Sequence, residues 1–396
     1  MIKRQAVQLF LLRRKTILVL YIFIAIIASL HLISLGTAHA IEGTLYTDYN
    51  NYLIFKQSFY HLLSKQDLYV LYPAEHWDLY KYSPSFALAM GALAYLPDWI
   101  GLSLWNVVNA LALFIAITRL PLQDKKINLM LWFVLLELLT SLQSAQSNAL
   151  MAGMLIGALT LMEKRRAGLA TLLIVGATFI KVYGAIGFAI FLFYPEKVKF
   201  ILYAALWSAL FLVLPLVVLS PAELISQYES WAAMMSKDQS VSYGFSVMGW
   251  LHSWFGLSGV KNLVILTGVI LFFIPVVRLR LYKEVSYRLL FLAYMLVWVI
   301  IFNHKAESST FVIEISAIAI WYFAEEPTRW RTVLLWLVFI FSSLSATDLF
   351  PHIVRSQVMV PYVVKVVPCI LLWCVMFYEL VLAKKQEPAV ITGQVA

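Results

Sequence analysis

Three groups of residues could do chemistry that their surroundings do not require. Asp48, in Thr47-Asp48-Tyr49-Asn50-Asn51-Tyr52, follows the first long apolar run. An aspartate in a loop is ordinarily a turn former or cap. Here it lies beside apolar chain, flanked by Tyr46, Tyr49 and Tyr52. A carboxylate partly shielded from water there is suited to accept a proton from a hydroxyl. Lys181 interrupts an apolar stretch with no acidic neighbour in sequence. It is either a lysine reaching for headgroups or a counter-charge for phosphate. The run Asn303-His304-Lys305-Ala306-Glu307 sets four polar side chains between two apolar segments. A plain hydrophilic turn would account for it; otherwise His304 and Lys305 neutralise a phosphate and Glu307 orients one of them. Gln146 and Asn148 are of helix-start type, and Asn148 is equally suited to hydroxyl recognition. Glu137 and Glu314 lie within apolar runs, where pairing with a basic group inside a bundle is their simplest role.

These residues act together only if the chain gathers them, and composition says what kind of chain must do so. The 396 residues are 62% hydrophobic and 13% charged, with mean hydropathy +0.83. Soluble domains carry about 25% charged residues, so the expected fold class is an all-α polytopic membrane protein. The formal net charge of +9 is no nucleic-acid footprint, because the basic residues sit at the ends of apolar runs, as cytoplasmic anchors do. Placing Lys3, Arg4, Arg13, Arg14 and Lys15 inside makes 16–35 the first span. The others are 99–117, 128–142, 147–162, 168–180, 182–194, 200–219, 260–277, 286–302, 309–323, 332–346 and 362–382. The apolar stretch 84–96 reaches only about 20 Å against a bilayer core of about 30 Å. Treated as an interfacial or re-entrant element, it keeps the basic turns at 119–126, 164–166, 197–199, 278–283 and 329–331 inside. The pair flanking Lys181 is short and reads as two halves of a broken element. Thr37-Ala38-His39-Ala40 loosely resembles a cleavage site, but an uncleaved first helix is expected.

One integral membrane domain, 1–396, is therefore expected, with a first outer loop at 36–98 and a second at 221–256. Residues 245–255 read as an aromatic interfacial helix. In this topology Asp48, Lys81, Gln146, Asn148, Lys181, Asp238, Gln239, His304, Lys305 and Glu307 share the outer face. Concentration on one face suggests a site at the interface rather than a path through the bilayer. The seven histidines show no His-x-x-His or His-Glu-x-x-His spacing, and no Asp-x-Asp or glycine-rich phosphate loop occurs. No metal, other cofactor or nucleotide is expected. Cys369 and Cys374 both lie in the last apolar run, at a spacing that does not favour a bridge.

A family resemblance rests on several of these residues. Asp48-Tyr49-Asn50-Asn51-Tyr52 and Asp67-Leu68-Tyr69 are followed by Tyr82-Ser83-Pro84-Ser85-Phe86-Ala87-Leu88, which looks like Tyr-Pro-Pro-Leu-Phe-Ala-Leu. Leu96-Pro97 and Leu104-Trp105-Asn106-Val107-Val108-Asn109 continue it. Ala145-Gln146-Ser147-Asn148 is similar to Gly-Gln-x-Asn, and Lys181, Asp238-Gln239-Ser240 and the His304 turn have counterparts. From Asp48 to about Glu307 the chain thus resembles the family 87 glycosyltransferases, polyprenol-phosphate-mannose-dependent mannosyltransferases of the GT-C superfamily. It departs at Ser83 (proline), Ala145 (glycine) and Gly184, where a proline often follows the lysine.

The resemblance implies a GT-C fold of about 12 transmembrane helices, with juxtamembrane helices in the first outer loop. It implies an inverting, metal-independent transfer of a hexose, mannose by family, from a polyprenyl-phosphate carrier to a lipid-linked or glycan acceptor hydroxyl. Asp48 would be the base, and Lys181, His304 and Lys305 would hold the donor phosphate. Tyr49, Tyr52, Lys81, Tyr82, Gln146, Asn148, Gln239 and Glu307 would contact substrate. The implied setting is the bacterial inner (plasma) membrane with a periplasmic active site. The partners would be the polyprenyl-phosphate sugar, a glycolipid or glycan acceptor and membrane lipid, with no nucleic acid. A transporter or flippase of lipid-linked saccharides, needing coupled charges at mid-membrane, or a ligase of preassembled glycans are the alternative readings.

Overall fold

Backbone amides in hydrocarbon find no water, so an apolar chain satisfies them within its own helices. The computed structural model describes residues 13–35, 39–237, 243–347 and 349–382, and they are largely helical. Five helices are long and apolar enough to cross a membrane: Arg14–Leu35, Asp98–Thr118, Asp124–Gln143, Lys197–Val217 and Val364–Leu382. Shorter apolar helices accompany them, and the chain is an all-α polytopic membrane protein.

The elements that bear on function run in this order. Helix α1 (Arg14–Leu35) leads into a small hairpin, β1 (His39–Ile41) and β2 (Thr44–Tyr46), which pairs Ala40 with Leu45. Next come α2 (Asn50–Leu63), α3 (Pro84–Ala89), α4 (Gly91–Ala94), α5 (Asp98–Thr118), α6 (Asp124–Gln143), α7 (Asn148–Glu163) and α8 (Ala167–Ile180). A 3-10 segment, Val182–Phe193, precedes α9 (Lys197–Val213), α10 (Pro221–Lys237), α11 (Val247–Phe255) and α12 (Lys261–Phe273). The chain continues through α13 (Val285–Ile301), α14 (Phe311–Ala324) and α15 (Arg329–Val338) to α16 (Val367–Leu382).

Small residues and internal hydrogen bonds join these helices, as expected where burial of apolar surface gives little drive. A Cβ at Gly153 of α7 would lie 2.5 Å from the carbonyl carbon of Ala112 in α5, so the two backbones touch. Asn106 of α5 donates to Ser29 of α1 (2.9 Å) and to the Leu142 carbonyl of α6 (3.2 Å). Tyr21 of α1 donates to the Leu131 carbonyl of α6 at 2.7 Å. Helix α14 is the innermost element, buried on every side from Phe311 to Trp321.

The short stretch at 84–96 is two small helices, α3 and α4, of ten residues together. Ser83 caps the first by accepting from the Phe86 amide, with Pro84 in the opening turn, a favoured start for a helix. The broken element at Lys181 folds back on itself. Lys181 adopts an extended conformation (φ −136°, ψ 126°), and the 3-10 segment returns along α8. Gly184 allows this reversal, since a Cβ there would come within 2.5 Å of the Ala177 backbone.

Two stretches expected as outer loop are helices: α2, and α10 ahead of the anticipated α11. Both mix polar and apolar residues, which weakens a hydropathy signal. Gln227 of α10 accepts from the Leu68 amide (3.1 Å) and donates to the Gln66 carbonyl (2.7 Å). Ser230 donates to Asp67. Helix α10 thereby clamps the segment that follows α2. The expected span 332–346 is also less regular, passing from α15 into a wide π turn at Phe339–Ser343.

The α5–α7 contact makes a testable demand. Gly153→Val should lower the melting temperature of the detergent-purified protein by an amount equivalent to about 1–3 kcal/mol. Gly157→Ala, whose Cβ would meet only the Leu173 side chain at 3.2 Å, should change it much less.

Candidate active site

A cavity of about 540 Å³ opens where several connecting segments meet at one end of the bundle. Its walls come from the start of α2, the segment before α3, the turn before α7, the tip after α8 and the α13–α14 turn. Met235 of α10 and Lys261, Asn262 and Ile265 of α12 complete it.

Each wall is fixed by backbone-directed hydrogen bonds. Asn50 at the head of α2 accepts from the Trp77 amide (3.2 Å), which sets the loop carrying Asp78. Asp78 accepts from its neighbour's amide at Leu79 and pairs with Lys81 at 3.2 Å. Tyr69 donates to the Tyr82 carbonyl at 2.9 Å, and the Tyr82 ring stands edge-on to Phe55 at 4.9 Å. The Ser83 amide donates to the Phe179 carbonyl near the end of α8, joining this loop to the Lys181 tip.

In the turn before α7, Ala145 has φ +50°, a left-handed conformation that glycine adopts most readily. A glycine, as in the motif that this turn resembles, would adopt it without the strain that Ala145 bears. The turn aims Gln146 at the cavity and buries Asn148. The α13–α14 turn is held from outside by the Phe245 amide, which donates to the Ala306 carbonyl at 2.9 Å. Gly244 (φ +53°) makes that approach possible, as a Cβ there would lie 2.7 Å from the same oxygen.

Lys181 is the centre of this arrangement. Its ammonium donates to Asn148 Oδ1 (2.8 Å) and Gln146 Oε1 (3.1 Å). It also stands 5.8 Å from the ring centroids of both Tyr82 and Tyr183. Asn148 accepts a second bond from Tyr183 (3.2 Å) and donates to Ser309 (3.2 Å), so its orientation is over-determined. Among the described residues no carboxylate lies within ion-pair distance of Lys181. Burial pushes the ammonium down to about 8, with Glu307 opposing that shift and Lys81 adding to it. An ammonium has three protons to donate, and two are occupied by neutral amide oxygens. The third is available to a ligand.

Lys81, Lys261 and Lys305 also line the cavity, against Asp78 and Glu307. Four lysines against two carboxylates leave the lining two charges positive with His304 neutral. The chemistry on offer is the binding of an anion with hydroxyl-bearing groups beside it.

Of the residues singled out in the sequence, Lys81, Tyr82, Gln146, Lys181, His304, Lys305 and Glu307 line this one cavity. Asn148 stands behind it and orients Lys181. Asp48 is exposed in the turn before α2 and is not part of the lining; Asn51, three residues on, is, and donates to the Ser144 carbonyl at 2.9 Å. Tyr49 and Tyr52, expected to contact substrate, face elsewhere. Tyr49 donates to Asp98 (3.3 Å), and Tyr52 is fully buried against Gly101. Lys56, one or two helical turns further on, pairs with the same Asp98 at 2.7 Å, so this face of α2 anchors the helix to α5. Asp238 and Gln239 lie outside the described residues.

Asn51, Asp78, Lys261 and Thr310 line the cavity but were not singled out from the sequence. Asn51 carried a signal through its place in the Asp48–Tyr52 block, and Asp78 through its spacing of three from Lys81.

The model of the family described as glycosyltransferase family 87 matches residues 80–303, more than half of the chain. The matched stretch contains Lys81, Tyr82, Gln146, Asn148 and Lys181, while Asp48 and His304–Glu307 flank it. Among curated proteins, none matches the chain.

The lowered Lys181 value fixes a pH dependence. The charged ammonium is the binding form, so the contribution of Lys181 to affinity for a singly charged anion should be at its full value well below pH 8. It should fall as pH rises through about 8, approaching tenfold per unit. Lys181→Arg, which stays protonated, should abolish that fall, and Lys181→Met should weaken binding about tenfold or more at pH 7. Titration of ligand affinity against pH on the three proteins reads all of this.

Proposed function

Because the chain belongs to glycosyltransferase family 87, we propose that it transfers a hexose, mannose in our reading, from a polyprenyl-phosphate carrier to an acceptor hydroxyl. The observation that carries this reading is Lys181, a half-buried cation held by Asn148 and Gln146 with one proton unassigned. Such a group can donate its remaining proton to a phosphate oxygen, and it sits in a lining that is positive overall.

In the proposed reaction an acceptor oxygen attacks the anomeric carbon from the face opposite the phosphate. The bond from that carbon to the phosphate oxygen breaks, and the configuration inverts. The acceptor proton passes to Asp48, and the bonding electrons leave with the polyprenyl phosphate. Lys181, with His304 and Lys305, offsets the negative charge that grows on the departing oxygen, a stabilisation that is largest where water is excluded. Gln146 contacts the sugar beside Lys181, and Glu307 orients the basic pair. The acceptor is a glycolipid or glycan. Asp48 is assigned as base on the family resemblance; it stands three residues ahead of the cavity-lining Asn51, and its carboxylate makes no side-chain hydrogen bond or ion pair among the described residues. Asp78 is engaged with Leu79 and Lys81.

The same reading places the chain in a bacterial plasma membrane as one integral domain of GT-C type, with the cavity on the extracytoplasmic face. The supporting observation is the charge at the opposite end of the bundle. There Glu163 pairs with Arg288 through two bonds, among the basic turns assigned to the cytoplasm.

The test is transfer from labelled polyprenyl-phosphate mannose by membranes containing the protein. Asp48→Asn should lower the rate by about 10²–10⁴-fold, the usual contribution of a positioned base, and leave donor binding intact. An Asp48→Asn protein as active as wild type would remove Asp48 from the mechanism. A fall confined to Asp78→Asn would move the base there.

A further inference from the structure

Outside the cavity, the described residues include a deeply buried ion pair that the reaction above does not use. Glu137 of α6 is completely buried, and Lys365, just ahead of α16, is 3% exposed. The Lys365 ammonium donates to both Glu137 oxygens, at 2.9 and 3.2 Å. It also donates to Ser308 Oγ at 2.8 Å and lies 4.6 Å from the Phe311 ring centroid. The Ser308 carbonyl is 3.4 Å away. The backbone around Lys365 is fixed in turn, its carbonyl accepting from Ser342 at 2.6 Å.

Burying an ion pair is a poor way to gain stability, since desolvation offsets most of the attraction. A specific geometric use is the better explanation, and the structure offers one. Ser308 opens the one-turn helix Ser308–Thr310 at the end of the α13–α14 turn. The next residue, Ser309, accepts from Asn148 at 3.2 Å and meets Glu307 at 3.5 Å. Asn148 is the residue that holds Lys181. A continuous polar chain thus runs from Glu137 through Lys365, Ser308–Ser309 and Asn148 to Lys181, and the stretch it pins carries His304, Lys305 and Glu307.

We infer that the Lys365–Glu137 pair is a positioning device for the donor-phosphate site. It anchors the 303–310 turn from inside the bundle, and it sets the register of the basic residues and Glu307 against Lys181. Both residues are positioning residues, since neither lines the cavity. A loose turn would still fold, packed by α13 and α14, but it would present its cations off register. The inference rests on the function proposed above.

The experiment separates positioning from packing with two proteins. Ser308→Ala removes the shorter of the two bonds that join the ion pair to the turn and leaves the pair itself intact. The double variant Glu137→Gln with Lys365→Met removes the pair without leaving a lone buried charge, the substitution proteins tolerate best at such sites. For each, the affinity for polyprenyl phosphate, the donor KM and kcat, and the melting temperature are measured in detergent. Both variants should bind polyprenyl phosphate about tenfold more weakly and show a raised donor KM, the effect of losing one hydrogen bond to a charged group. Acceptor KM should hold, and Ser308→Ala should melt within a few degrees of wild type. Wild-type binding and kinetics in folded Ser308→Ala, or a loss in the double variant that only tracks its melting temperature, would overturn the inference and leave the proposed function standing. A wild-type protein that binds no polyprenyl phosphate would overturn both.

Discussion

Lys181 carries a positive charge out of water to a place where its hydrogen-bonding partners are amide oxygens rather than carboxylates. Desolvation lowers the affinity of the ammonium for its proton, and neutral dipoles restore only part of what water supplied. Such a group is stable only when its acceptors are rigid and well aimed. Much of the surrounding structure can be read as meeting that condition. The reversal at Gly184 puts Lys181 at a tip, the left-handed Ala145 turns Gln146 toward it, and Tyr183 and Ser309 fix the Asn148 amide.

Lys365 is the fully buried counterpart, in the same bundle, of the half-buried Lys181. Lys365 faces a carboxylate and has its protons occupied by Glu137 and Ser308, so it has no capacity left for a ligand. Lys181 has no such partner among the described residues and retains a donor. One cation is closed and one is open, and the serine pair at 308–309 connects them. Glu314 is also fully buried. The paired state of Glu137 removes one of the two mid-membrane carboxylates that a transport reading would call upon.

Legibility from the sequence differed sharply between residues. Lys181 stood out because a lysine amid apolar residues violates the pattern around it, and the His304 turn because four polar groups break two apolar runs. Lys365 did not stand out: it lies in a stretch already interrupted by Pro361 and Pro368, and nothing local marks it as the partner of a glutamate 228 positions away. Tyr49 and Tyr52 looked like site residues through their closeness to Asp48. Helical periodicity turns them toward Asp98 and Gly101 and leaves Asn51 facing the cavity. A shift of one or two residues along a helix changes the face, whereas residues three apart, such as Tyr49 and Tyr52, share it.

Hydropathy and charge by themselves determined that this chain is a helical membrane protein, and that its unusual polar groups fall at the ends of helices. Both follow from local energetics, because each apolar run must solve its own hydrogen-bonding problem wherever the rest of the chain lies. The family motifs narrowed the chemistry to glycosyl transfer. Only the tertiary structure decided which of those polar groups meet, since contacts such as Asn148 with Ser309 or Lys365 with Glu137 join residues more than 150 positions apart. Their energies depend on distance and desolvation, quantities that exist only after the helices have packed.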